Sequence, residues 1–305
     1  MQPHNGMPVF CPWDITQTPG DGCVRISRRR YLPALQQLEN WVVDVNARAH
    51  PRGTRYPAPA AARAFAHALE WPGSVITGFS ALAVYRLPYL VEGHDTTLSC
   101  AVAANTVGGP LTPTVVRLTY RPHEVWTVKL RDYPFRIASP AVATVQALKA
   151  AGGGVLPAVQ LIDCVRRHLG VQEADVLAAG RYRLRRPWLE KVWGLSSALA
   201  DSPKETEMRL LARDVARQYS LSLREQYPVR SGGRLITVFD FALLEPRIGL
   251  MYDGQHHWEY SQRQKDSLIN LEATANGWTP LRFSSATLIE LPERLGRLLS
   301  EKCWG

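Results

Sequence analysis

Residues 235–257 read LITVFDFALLEPRIGLMYDGQHH, two β-type apolar runs joined by a short turn, with acids where the apolar pattern should exclude them. Asp240 interrupts Val238-Phe239 and Phe241-Ala242, and Asp253 follows Ile248-Gly249-Leu250-Met251-Tyr252. A carboxylate inside a buried hairpin costs on the order of several kcal/mol unless it is paired or coordinates a metal. An antiparallel pair is therefore expected here, turning at Glu245-Pro246-Arg247, together with something that answers its acids. A blander alternative makes Asp253-Gly254 only a turn and Asp240 only an edge-strand residue. Two adjacent histidines, His256 and His257, follow at once and weigh against it.

Helices and strands are arranged around that hairpin in a definite order. Asp201-Ser202-Pro203-Lys204-Glu205 starts a helix with a Ser cap, Pro at its first position and an early acid, running to about Tyr219. A strand over 221–229, the turn Ser231-Gly232-Gly233 and the hairpin follow. A helix over 261–276, stopped by Gly277, leads to a strand over 280–283 and a last helix over 287–302. The order αβββαβα from residue 202 predicts a small mixed sheet flanked by helices. Upstream, 1–57 reads as irregular or helical, with a helix over 31–45 from the spacing of Leu32, Leu35, Leu38, Trp41 and Val42. Residues 58–180 read as an α/β region with helices over 58–69, 138–151 and 158–169. Residues 181–201 read as a basic helical linker, and 202–305 as the C-terminal domain. The fold class expected is α/β or mixed α+β, and 305 residues suffice for two or three cores.

No apolar run approaches the ~20 residues of a membrane helix, and the N-terminus lacks the pattern of a secretory signal. Five cysteines, odd in number and far apart, form no CxxC pair or zinc spacing. The expectation is a cytoplasmic protein without membrane contact. Net charge is +9, which favours a polyanionic partner, most simply DNA. From Ser202 onward 14 basic side chains face 13 acidic ones; the first 201 residues hold the other 22 of 36 basic and 14 of 27 acidic. The excess is therefore N-terminal. It clusters at Arg28-Arg29-Arg30 and, as the stronger candidate for DNA contact, at Arg181, Arg183, Arg185, Arg186 and Lys191.

Hydrolysis of a phosphodiester needs hard-oxygen ligands for one or two divalent metals, Mg²⁺ or Mn²⁺, and a group to handle the proton. Asp240, Asp253 and Glu205 supply the carboxylates, and His256 and His257 the proton chemistry. Each also has a structural alternative. Glu205 can simply favour a helix N-terminus, the histidines can sit on a rim, and Trp188, Trp193 and Trp258 serve more often as core anchors than as base-stacking platforms.

The stretches SPKETEMRLLA, LREQYPV, VFDFALLEPRIGLMYDGQHHW and KDSLINLEATANGWTPLRF resemble the restriction-endonuclease-like domain related to very-short-patch repair endonucleases, of the PD-(D/E)xK nuclease superfamily. The resemblance covers about 202–302. It implies that Asp240 is the metal-binding aspartate, Glu205 the helix glutamate, and Gln226 a polar residue preceding the core turn. Asp253-Gly254 with His257 matches an Asp-Gly-x-x-His signature, and His256 is a further candidate. Asp266 and Arg282 fall on polar positions of the next helix and last strand, where either could be structural or touch the phosphate. SVITGFSALAVYRLPYL and FRIASPAVATVQALKA are similar to regions that precede this domain in actinobacterial proteins with an AbiEi-type antitoxin-like winged-helix start.

One departure is specific. The family usually has glutamate two residues before the aspartate of its Asp-Gly, and here that position is Met251, whose thioether does not replace a carboxylate on Mg²⁺. The expectation is a metal-dependent DNA endonuclease weakened by Met251. Its rivals are an inactive DNA-binding, antitoxin-like regulator and a defence or toxin component that needs a protein partner.

Overall fold

The structure is a computed structural model. It describes every residue except 1, 10–11, 102–105, 131–132, 255–259 and 305, and gives the backbone alone for 260–266 and 302–304. The chain divides into two compact units, Met1–Gly194 and Leu195–Gly305, with helices and mixed sheets in an α+β arrangement. Among the described residues no helix is long and apolar enough to cross a membrane.

The first unit runs β1 (Pro8–Val9), β2 (Val24–Arg25), β3 (Tyr31–Leu32), α1 (Asn40–Ala49), α2 (Ala60–Glu70), β4 (Val75–Ile76), α3 (Gly78–Val84), β5 (Thr97–Ser99) and β6 (Thr114–Val116). It continues with β7 (Val125–Leu130), β8 (Tyr133–Ala138), α4 (Pro140–Ala150), α5 (Val155–Leu169), α6 (Glu173–Gly180) and α7 (Arg186–Leu195). Six strands form one sheet in the order β1-β7-β8-β4-β5-β6. Its first strand comes from the segment read as irregular: Pro8 and Val9 pair in parallel with Lys129 and Leu130. The stretch read as a linker carries α7, which buries Leu189, Val192 and Trp193.

The helix expected over 31–45 begins only at Asn40. Tyr31 and Leu32 are instead paired with Arg25 and Val24. Pro33 explains the difference, because it holds the residue before it in extended backbone. Leu32 is fully buried against Ala58, Ala62 and Ala66 of the alanine-rich α2 segment, whereas Leu35, one helical turn on, is 99% exposed. The helical spacing of those leucines thus joined residues of unlike environment.

The second unit runs α8 (Pro203–Gln218), β9 (Leu223–Ser231), β10 (Arg234–Leu243), β11 (Ile248–Tyr252), α9 (Tyr260–Ala275), β12 (Thr279–Phe283) and α10 (Leu291–Trp304). β9, β10 and β11 form an antiparallel meander, and α9 carries the chain across so that β12 lies parallel to β11. Met208, Ala212 and Val215 of α8 and Leu291, Leu295 and Leu299 of α10 pack with Phe241, Leu243 and Leu250 in one core cluster. Ala273 of α9 packs with Val229, Phe239 and Ala242 in another, with Trp278 and Met251 against it. Apolar burial of this kind, roughly 1.5–3 kcal/mol per large side chain, is what holds a four-stranded sheet to its helices.

Candidate functional site

Strand β10 changes face at Asp240. Regular alternation would put Phe239 and Phe241 on one face, yet they enter different core clusters. Phe239 lies over Gly249 of β11, where a Cβ would come within 2.3 Å of its ring, so only glycine admits this packing. The break coincides with a distortion in the neighbouring strand. Phe239 pairs with Tyr227 and Phe241 with Glu225, and Gln226 between those partners has φ +49°, a left-handed conformation that costs a non-glycine residue energy.

The Asp240 side chain is thereby placed at the main chain of β11. The last main-chain pair of that ladder is Phe241 with Leu250, and beyond it Tyr252 N–H donates to Asp240 Oδ2 at 2.6 Å. Gln226 adds a side-chain hydrogen bond to the same carboxylate. Burial pushes the Asp240 carboxyl above the usual carboxylate range, and the nearby charges of Asp201 and Asp253 push it further; the Tyr252 N–H and Gln226 pull it back.

Glu205 closes the N-terminus of α8. Ser202 Oγ accepts the Glu205 N–H at 3.2 Å, and the glutamate in return accepts Ser202 O–H at 3.0 Å and Asp201 N–H at 3.0 Å. This reciprocal capping satisfies helix-end donors, so Glu205 has the structural role weighed for it. It is also electrostatically coupled to the site. Burial raises its pKa, and Asp240 and Asp201 raise it further against the pull of the capping donors. Asp240 therefore lies in the field of three other carboxylates, Asp201, Glu205 and Asp253. Asp201 escaped notice in the sequence because it reads as part of a helix-start signal.

Asp253 is held elsewhere. Its Oδ1 pairs with Arg282 Nη1 at 2.7 Å, Arg282 Nε reaches Asn270 Oδ1 at 3.5 Å, and Asp253 N–H donates to Phe283 O at 2.8 Å. The Asp253 side chain is 48% exposed. Met251, opposite Arg282 in the parallel register, is half-buried against the cluster of Phe239 and Ala242. His256 and His257 lie outside the described residues, as does the side chain of Asp266.

The donors at Asp240 and Glu205 are all oxygen, the chemistry that suits Mg²⁺ or Mn²⁺. Such an ion commonly takes one or two carboxylates and completes its shell with water and substrate phosphate. Among the described residues no group of three or more His, Cys, Asp and Glu is gathered to hold an ion. Asp240 and Glu205, which are coupled electrostatically, are the two carboxylates whose donor chemistry would suit such an ion.

In the first unit, Arg183 is committed to structure: Nη1 and Nη2 contact the two Glu124 carboxylate oxygens at 2.7 Å each, and Nη1 also donates to Ala179 O. Arg186 pairs with Glu190 at 2.8 Å, and Arg181 lies over the ring of exposed Tyr182. Arg185 and Lys191 are exposed. Trp193 is buried beneath Arg166, in keeping with an anchoring role.

No family model matches the chain, and no curated protein or solved structure is significantly similar to it.

Proposed function

We propose that the second unit is a nucleic-acid phosphodiesterase of the endonuclease type, with DNA as substrate and Asp240 at its centre. The observation that carries this reading is the mid-strand carboxylate itself. Asp240 is half-buried, fixed by Tyr252 N–H, pushed up by the charges of Asp201 and Asp253, and itself raises the Glu205 carboxyl. Evolution seldom keeps such a costly arrangement for packing alone, and strained or repulsive clusters concentrate at functional sites.

Asp240 and Glu205 would hold a hard dication, which when bound supplies positive charge to a phosphodiester that gains negative charge on reaction. Tyr252 N–H and Gln226 orient Asp240, so its free lone pairs keep one direction. Burial and the Asp240 charge raise the Glu205 pKa, so an ion shared by the two carboxylates would also relieve their repulsion. Arg282, steadied by Asp253 and Asn270, would meet a non-bridging phosphate oxygen. His256 and His257 are proton-transfer candidates.

A second reading is favoured by specific observations: Met251 fills apolar space where a ligand is expected, and Asp253 is spent on Arg282. In that reading the unit is a DNA-binding regulator without turnover. Supercoiled plasmid incubated with Mg²⁺ or Mn²⁺ separates the two. Nicking by the wild type that is lost in Asp240→Ala supports the nuclease. Equal cleavage by both, or no cleavage while the protein still shifts DNA, removes it.

A further inference from the structure

The sequence places three consecutive arginines at 28–30, and the structure sets them at the tip of the β2–β3 hairpin, where Ile26 N–H donates to Arg30 O at 3.0 Å. The tip is clamped from two sides. Ser27 O–H and Arg29 N–H both donate to Glu70 Oε1 at the end of α2, at 2.5 and 2.7 Å. On the other side, the Arg25 guanidinium donates through Nε and Nη2 to Arg28 O. A loop that long side chains alone would leave loose is thus fixed at its backbone.

The clamped arginines line an open cleft of about 530 Å³ together with Gln17, Trp71 and Pro72. Its one lining carboxylate, Glu70, already accepts the two donors of the clamp. Among the described residues none of the three guanidinia has a carboxylate partner, and Arg30 Nε is buried without any hydrogen-bond partner. A buried guanidinium nitrogen left unsatisfied is costly, and three like charges around one cleft repel. Both costs are relieved by an anion with several acceptor oxygens. The contrast with the 181–191 cluster is direct, since Arg183 and Arg186 there are already paired.

We infer that this cleft is a binding site for the phosphate backbone of a nucleic-acid strand, with the arginines on phosphate oxygens and Trp71 offering a flat face to the adjoining nucleotide. The inference rests on the reading that the protein acts on nucleic acid, but not on turnover at Asp240.

The test is binding by full-length protein to a fluorescein-labelled 20-nucleotide single strand and its duplex, read by anisotropy in EDTA across a salt series. With Arg28, Arg29 and Arg30 all changed to Ala, affinity at 0.1 M salt falls at least tenfold. The slope of log affinity against log salt becomes shallower by about two, as loss of two to three phosphate contacts requires. If the triple variant melts early, Arg28→Ala/Arg29→Ala, both at exposed positions, carries the same test with a slope change of about one to two. Because the assay contains EDTA and reads binding alone, its outcome does not depend on turnover at Asp240, which separates failure of the cleft from failure of the catalytic reading. Unchanged affinity and slope in the arginine variants overturn the proposal. So does displacement of the strand by millimolar inorganic phosphate at matched ionic strength, which marks a small-anion pocket instead.

Discussion

Tyr252 N–H donates to the Asp240 carboxylate at 2.6 Å across β10 and β11, just beyond the last main-chain pair of that ladder. A side-chain oxygen thus takes over an amide of the neighbouring strand. The bond explains how a carboxylate is kept in the middle of a sheet strand, and why it stays oriented while three other acids repel it.

Asp240→Asn keeps an oxygen for Tyr252 N–H and removes the charge. A carboxyl whose pKa is raised on folding contributes stability that is full below the ordinary carboxylate range and is lost as pH rises through the raised value. At pH 7 the wild type therefore bears the full cost. Asp240→Asn is expected to stabilise the second unit by about 1–2 kcal/mol at pH 7 and to leave it nearly unchanged at pH 3.5. Urea melts at the two pH values measure this; equal stability at pH 7 would remove the repulsion from the account.

Met251→Glu adds a further acid to β11, in a position now packed against apolar side chains. Without divalent ions the variant should lose about 1–3 kcal/mol through burial of the new polar group. Millimolar Mn²⁺ should return much of that loss, because an ion that binds only the folded state stabilises it. Thermal melts with and without Mn²⁺ read both effects. Cleavage that appears only in Met251→Glu would mark a decayed site.

His67 tests the first unit. It is 1% exposed, both ring nitrogens lack partners, and burial first, then Arg63, lowers its pKa to about 4. For a lowered pKa the stability is present above the unfolded value near 6.5 and is lost as pH falls towards 4. The loss attributable to this residue is up to about 3 kcal/mol. His67→Leu should raise the unfolding midpoint at pH 5 and flatten the acid loss between pH 6.5 and 4. An unchanged pH profile would show that His67 is not its source.

Arg183 and Arg185, two residues apart in the same basic run, should behave differently. Arg183→Ala leaves Glu124, 4% exposed, without the guanidinium that holds its carboxyl below the usual range. The expected cost is about 3 kcal/mol. Arg185→Ala, at an exposed position, should change stability by less than about 0.5 kcal/mol. Denaturant melts of the two variants decide this.

Where the sequence was readable, local chemistry and tertiary packing agreed. Ser202-Pro203 begins α8 with a side-chain cap, Gly277 with φ +80° ends the α9 segment, and the apolar hairpin runs become β10 and β11. What escaped was set by neighbours distant in sequence. The face change at Asp240 depends on left-handed Gln226 across the ladder and on Gly249 making room for Phe239. The commitment of Asp253 to Arg282 depends on the parallel pairing of β11 with β12. Leu32 and Leu35 look equivalent by helical spacing, and only Pro33 and the alanine face of α2 separate them.

The most direct measurement is the single-turnover rate at which wild type and Asp240→Asn nick supercoiled plasmid in Mg²⁺ or Mn²⁺, with folding of both checked by the melts above. Because Asp240→Asn should be the more stable protein, its loss of activity cannot be ascribed to unfolding. The expected result is nicking by the wild type and a rate at least about 100-fold lower in Asp240→Asn, a loss of about 2.7 kcal/mol or more in transition-state stabilisation. Equal rates, or no nicking by either protein in either metal, would contradict a catalytic centre at Asp240.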